Sequence, residues 1–368
     1  MPLGRLLGFP VVLSPSWLVL AAALTIGYGR LFHREGPVAY AWGAGLVVSL
    51  AGSVLLHELG HALACRRLGI GVRSVTLELL GGYTDMDRDA PRPAVEAAVS
   101  LAGPAVSALL GLLAAAVAAL TPPDVAGHEV AVQLAATNLV IAVFNTLPGL
   151  PLDGGRALLA AVWAWTGDQY RGIRIAGRAG WVVAGGCLAV AVVVAVRGRG
   201  SAPGVGHIVA VVALVLVALS VGHGAGQAVR LGRLGARLPL LNVVTMARPV
   251  FQVPTGTPLD EARRRVVEAG ADGATLGVAD AHGAVVALVI EALAAAVPEE
   301  RRGRVTVDAV ARSMAGRVLH PDLRGADVLR ALHADPTGDY LVASGEDVVG
   351  VLRGVDVARL LTSRESAE

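Results

Sequence analysis

Residues 55–64 read LLHELGHALA, two histidines and a glutamate set into a run of leucine and alanine. The apolar window around them, 40–63, has the length that crosses a bilayer, about 20 residues. Ionisable groups at that depth cost about 2.5–3.5 kcal/mol each on insertion scales, so they mark function rather than packing. The same trio on a soluble helix would be ordinary, and the choice between these two settings decides the fold.

Composition favours the membrane. Of 368 residues, 54% are hydrophobic and 16% charged, with a mean hydropathy of +0.63. Soluble domains carry about a quarter charged residues. Apolar windows recur near 10–27, 40–63, 95–120, 128–148, 179–196 and 205–226, so about six spans are expected. Pro10 and Pro15 interrupt the first, and no small-residue cleavage site follows it, unlike a signal peptide. The formal net charge of +2, with 31 basic residues that are all arginine, excludes a bulk nucleic-acid binder. Two distant cysteines, Cys65 and Cys187, form no disulfide framework. Cys65, four residues after the second histidine, is a packing residue before it is a ligand.

Arginine placement sets orientation. Arg66, Arg67, Arg73, Arg88 and Arg92 follow the second span, Arg156, Arg171, Arg174 and Arg178 the fourth, and Arg230, Arg233 and Arg237 the sixth. The 121–127 loop has no basic residue. A multi-pass protein of the cell membrane with both termini cytoplasmic is therefore expected. After about residue 240 the pattern changes to short β-rich runs alternating with amphipathic helical ones, the signature of a soluble α/β module. Expected boundaries are a membrane domain at 1–228, a basic linker at 229–242, the module at 243–363 and a tail at 364–368.

His57 and His61, four apart, lie on one face of a helix about one turn apart, as a shared metal requires. Glu58 is adjacent and can reach a metal-bound water without being a ligand. A catalytic zinc takes three protein ligands and keeps a fourth position for water. The fourth span ends FNTLPGLPLDGGRALL, where Pro148, Gly149 and Pro151 break the helix just before Asp153. Irregular backbone at membrane depth is tolerated only beside protein or a wet cavity. Asp153 is thus a carboxylate delivered to a pocket on the same side as His57.

HExxH in the second span together with N-x-x-P-x-x-x-L-D-G, here Asn145, Pro148, Leu152, Asp153 and Gly154, resembles the site-2 protease family of intramembrane metalloproteases. The resemblance implies a single zinc ion held by His57, His61 and Asp153, with Glu58 as general base and acid. It implies that Asn145 helps to hold the substrate backbone. It also implies that the β-like stretch 74–86, which turns at Gly81 and Gly82, pairs with unwound substrate. SLAGPAVSALLG at 100–111 is similar to the family's A-G-P-x-x-N, with Ser107 where asparagine is common, which puts a substrate-positioning role there in doubt. The implied substrate is a single-span membrane protein, such as a membrane-anchored anti-sigma or transcription factor, cleaved within or near its membrane segment. A gated channel or transporter without proteolytic activity is the rival, its intramembrane charges lining a pathway. Stoichiometric zinc separates the two.

The module is internally duplicated. The run from Thr245 and the run from Ser313 are each followed by strand, turn and strand, ATLGVADAHGAVVALV and DYLVASGEDVVGVLRG. The pattern resembles a tandem pair of CBS domains, which implies a regulatory role, dimerisation and an adenine nucleotide. The ribose-and-phosphate signature is eroded: Gly350 and Asp356 remain, and Arg353 replaces the hydroxyl residue, as a possible phosphate contact.

Overall fold

The chain begins as a hairpin. Strands β1 (Pro2–Leu6) and β2 (Phe9–Leu13) are antiparallel. Between them Leu7 and Gly8 both have positive φ, 52° and 92°, the primed turn whose twist suits a two-residue hairpin. The computed structural model describes residues 1–31, 37–78, 81–198, 205–345 and 347–362. Two compact units result, Met1–Arg233 and Leu234–Glu368. The tail expected at 364–368 lies outside the described residues.

In the first unit, helix α1 (Pro15–Leu31) and the long α2 (Pro37–Arg67) lead to β3 (Val72–Glu78) and β4 (Gly81–Met86). β2 pairs in parallel with β3, and β3 pairs antiparallel with β4, so the sheet runs β1-β2-β3-β4 and β4 forms one edge. Phe9 and Val75 bury the inner face of this sheet against Leu59 and Ala62 of α2. The remaining helices are α3 (Pro93–Leu120), α4 (Ala126–Asn145), α5 (Asp153–Thr166), α6 (Gln169–Arg197) and α7 (Val205–Gly235).

Five described helices, α2, α3, α4, α6 and α7, are long and apolar enough to cross a membrane. Their outward faces keep large apolar residues exposed, among them Leu109, Leu112, Val182 and Leu219, as a lipid-facing surface does. The span expected near 10–27 is divided: its first residues belong to β2, and the apolar helix that follows, Pro15–Ile26, is shorter than the others. Apolar residues interrupted by glycine and proline carry no period of their own, and pairing with β1 and β3 makes them a strand. The short α5 was also not separable by composition; it closes on Gly167 in the left-handed conformation that ends helices.

The second unit shows the duplication directly. The first repeat runs β5 (Val250–Pro254), α9 (Leu259–Glu268), β6 (Thr275–Ala279), β7 (Val285–Val289) and α10 (Glu291–Ala296), preceded by a short α8 (Val243–Met246). The second, after β8 (Ala311–Ser313), runs β9 (Val318–Leu319), α11 (Ala326–Ala331), β10 (Asp339–Ser344), β11 (Asp347–Arg353) and α12 (Gly354–Thr362). In each repeat the first strand is parallel to the second and the second antiparallel to the third. The segment before each repeat crosses to the other: Arg248 bridges Val351, and β8 pairs with β7. Val285, Leu288, Met314, Leu341 and Val351 form a core shared by both repeats. This β-α-β-β-α arrangement in tandem is the CBS pair that the sequence pattern implies.

Candidate metal centre

The two imidazoles and one carboxylate converge from opposite sides. His57 Nε2 lies 3.0 Å from Asp153 Oδ2, His61 Nε2 lies 3.2 Å from the same oxygen, and the two Nε2 atoms are 3.3 Å apart. Both histidines are buried, and Asp153 is half-buried. Among the described residues these three form the one group of this kind able to hold a metal.

The second nitrogens decide what can sit between them. His61 Nδ1 is 2.7 Å from the Val99 carbonyl, which only accepts, so Nδ1 carries a proton and the neutral ring turns its Nε2 lone pair to the centre. His57 Nδ1 is 2.9 Å from the Ser107 hydroxyl. Two neutral imidazoles and a carboxylate oxygen at this spacing are the donor set that a bound cation would bring together. Zinc bonded at about 2.0–2.1 Å to three donors at tetrahedral angles would set them about 3.3–3.4 Å apart, close to the spacing here. Gly103 of α3 keeps the space open. A Cβ there would strike His61 Nε2 and stand 2.6 Å from His57 Nε2. The donor set and its clearance therefore fit zinc.

Local sequence explains each position. The Thr146–Leu152 break ends α4, and its irregular backbone is satisfied within the protein: Leu150 N–H donates to the Ala176 carbonyl of α6, and Leu152 N–H to that of Gly149. Asp153 then opens α5, where a carboxylate in the first turn is favoured by the helix dipole. One turn on, Arg156 Nε donates to the buried Glu96 carboxylate of α3 at 2.7 Å. That pair ties α5, and with it Asp153, to α3, whose Ser107 hydroxyl and Val99 carbonyl meet both histidines of α2.

Glu58 stands beside the donors and outside their cluster. Its Oε2 accepts the Thr84 hydroxyl at 2.9 Å, so the acid is buttressed by β4. Gly82 lies against it, since a Cβ there would sit 2.8 Å from Glu58 Cγ. Gly81 begins the same strand, opposite Glu78. Asn145 is the last residue of α4, half-buried, with no amide hydrogen bond among the described residues. Cys65 packs with Ile70, Ala90, Val95 and Val99, away from the metal donors. In the second unit, Asp356 accepts two hydrogen bonds from Arg248, at 3.0 and 2.8 Å, while Arg353 faces Asp339 at 3.5 Å.

Sequence reasoning missed three supporting residues. Ser107 was measured against asparagine as a substrate contact, whereas here it orients His57. Arg156 counted only as an orienting charge, and Glu96 was passed over. A glutamate within the first turn of an apolar span and an arginine one turn after Asp153 were the available signals.

Comparison with known proteins identifies the family. The Peptidase family M50 profile matches residues 45–133, which include both histidines. The protein Rip3 of Mycobacterium tuberculosis, whose name describes a zinc metalloprotease, is 33% identical over 379 residues, covering 98% of this chain and 92% of the relative. The similarly named sll0528 of Synechocystis is 40% identical over 181 residues, 48% of each chain, so that match spans about half the relative's length. Among solved structures, the site-2 protease from Methanocaldococcus jannaschii is 26% identical with a TM-score of 0.45, covering 62% of this chain and 94% of its own. An identity of 33% across nearly the whole of both chains places this multi-pass membrane protein in peptidase family M50, the site-2 type of zinc metallopeptidase.

Proposed function

We propose that His57, His61 and Asp153 hold the zinc and that Glu58 is the general base and acid in hydrolysis of a single-span membrane protein, such as an anti-sigma factor or membrane-bound transcription factor, within or near its membrane segment. The observation that carries the proposal is the convergence of Nε2, Nε2 and Oδ2 within 3.3 Å, with a buttressed carboxylate alongside. Bound zinc supplies Lewis acidity, polarising a carbonyl and bringing the pKa of water down to about 7. The Glu58 carboxylate takes the proton of the attacking water and passes it to the amide nitrogen as the carbon–nitrogen bond breaks. Thr84 holds that carboxylate on the side of the sheet edge.

A helical peptide bond is shielded by its own hydrogen bonds, so the substrate must be extended when cleaved. The outer edge of β4 offers backbone groups for strand addition next to Glu58, with open space at Gly81 and Glu58 itself seated against Gly82. Asn145 provides an amide to a substrate strand on the other side. Both termini on the cytoplasmic side of the cell membrane require six crossings, with α1 joining the five longer helices, and the arginine distribution supports that orientation; regulated intramembrane proteolysis there is what the family resemblance implies. Zinc chelation of the purified protein is expected to stop cleavage of a reporter span, and added zinc, but not magnesium, to restore it. Cleavage indifferent to chelation would remove zinc from the chemistry, whereas a protein that binds no stoichiometric zinc and cleaves nothing would leave the transporter reading.

The CBS pair is read as a regulatory and homodimerising module. Its nucleotide site is already internally paired, Asp356 with Arg248, so an adenine nucleotide must displace that pair and draw phosphate contacts from Arg248 and Arg353. Calorimetric titration of the full chain with ATP is expected to give binding that Asp356→Ala abolishes. Absence of heat with the native chain would retire the nucleotide and leave the dimer.

A further inference from the structure

One polar row in the membrane domain serves none of the roles above. Gly45, Ser49, Ser53 and His57 follow one another at intervals of four along a single ridge of α2. At its outer end Trp42, Gly45 and Ser49 line a groove of about 310 Å³ with Gln133 of α4. At its inner end is the metal centre, about 12 Å from Ser49 at 1.5 Å per residue.

Between the two, Asn138 of α4, 2% exposed, donates from Nδ2 to the Ser53 hydroxyl and to the Leu134 carbonyl, both at 2.9 Å. The carbonyl contact settles the amide's orientation, because Oδ1 cannot face another acceptor. Asn138 Oδ1 is then a buried acceptor without a donor, and the Ser49 hydroxyl is likewise buried without a partner. Orphaned polar atoms in apolar surroundings are costly, and a polar site with two or more such groups is where a buried water resides. A water donating to Oδ1 and accepting from Ser49 answers both. Ser49, Ser53 and His57 lie one turn apart along α2, and Asn138 of α4 meets that row at Ser53.

We infer that Ser49, Ser53 and Asn138 bind a file of water that leads from the α2–α4 groove to the metal centre. The inference rests on the hydrolytic reading, since hydrolysis consumes one water for each peptide bond broken and the site lies among apolar helices. The plain rival is a simple interhelical hydrogen bond between Ser53 and Asn138 that adds packing and carries no water.

Cysteine labelling of the full chain in lipid vesicles separates them without requiring proteolysis. Ser49→Cys and Ser53→Cys, each in a Cys187→Ser background, are treated with 2-aminoethyl methanethiosulfonate and followed by intact mass. Val48→Cys and Leu56→Cys, on the exposed apolar side of α2, are the lipid-facing controls. Because only the thiolate reacts and it forms only in water, labelling at positions 49 and 53 is expected to be at least about tenfold faster than at 48 and 56. Adding Asn138→Leu is expected to slow Ser53→Cys labelling to the control rate. It is also expected to lower cleavage while leaving the bound zinc unchanged. A Ser53→Cys rate no higher than that of Leu56→Cys, or one unaffected by Asn138→Leu, would overturn the water file. Failure of the hydrolytic reading would show instead as fast labelling in a protein that cleaves nothing.

Discussion

Glu58→Gln is expected to abolish proteolysis while the protein still binds zinc. The amide keeps the shape of the carboxylate and can still accept the Thr84 hydroxyl, so the local packing at β4 and Gly82 survives. What disappears is the capacity to take a proton from water and return it to the leaving nitrogen. General acid–base catalysis is worth about 10²–10⁴-fold. Since one residue serves both proton transfers, the loss should fall at or beyond the upper end of that range. The measurement pairs single-turnover cleavage of a reporter span with zinc content by elemental analysis. A Glu58→Gln protein that cleaves at more than a tenth of the native rate would remove Glu58 from the chemistry. Thr84→Val, which leaves the carboxylate and removes its support, should give a smaller reduction.

The second large effect concerns the metal. Asp153→Ala is expected to leave a folded protein from which zinc is lost on dialysis. Two imidazoles remain on α2, but the only anionic donor has gone. Removing a group that merely orients a metal ligand costs about 10–100-fold in affinity, and removing a ligand costs more. Gly103→Ala should reach the same end with all three donors in place, because its methyl group would occupy the space in front of both Nε2 atoms. Ser107→Ala, which frees His57 Nδ1, belongs at the milder level. Zinc per chain, read alongside thermal melting of the same samples, checks all three. Full zinc retention by Asp153→Ala would mean that another group completes the site.

Much of this site was legible beforehand because its chemistry is local or carried by rare residue types. His57 and His61 are four apart, so helix geometry alone brings them together, and Asp153 stands at a break whose prolines and glycines announce it. The supporting contacts were not legible. Ser107, Glu96 and Arg156 matter through the packing of α3 against α2 and α5, and nothing in their spacing predicts which side chain each would meet. The N-terminal strands were hidden for the same reason. β2 acquires its state from hydrogen bonds to β3, some sixty residues away, while its own apolar content reads equally well as the start of a span.

Composition and periodicity by themselves determined that the chain crosses a membrane, that it ends in a duplicated α/β module, and that two histidines share one face of a helix. Those properties depend on hydrocarbon solvation and on the period of the helix, and both are written in consecutive residues. Tertiary structure alone decided how closely three donors approach, which nitrogen of His61 meets the Val99 carbonyl, and that Asp356 is held by Arg248. Distances and protonation depend on which elements pack together, and such packing is a property of the whole chain, not of any one segment.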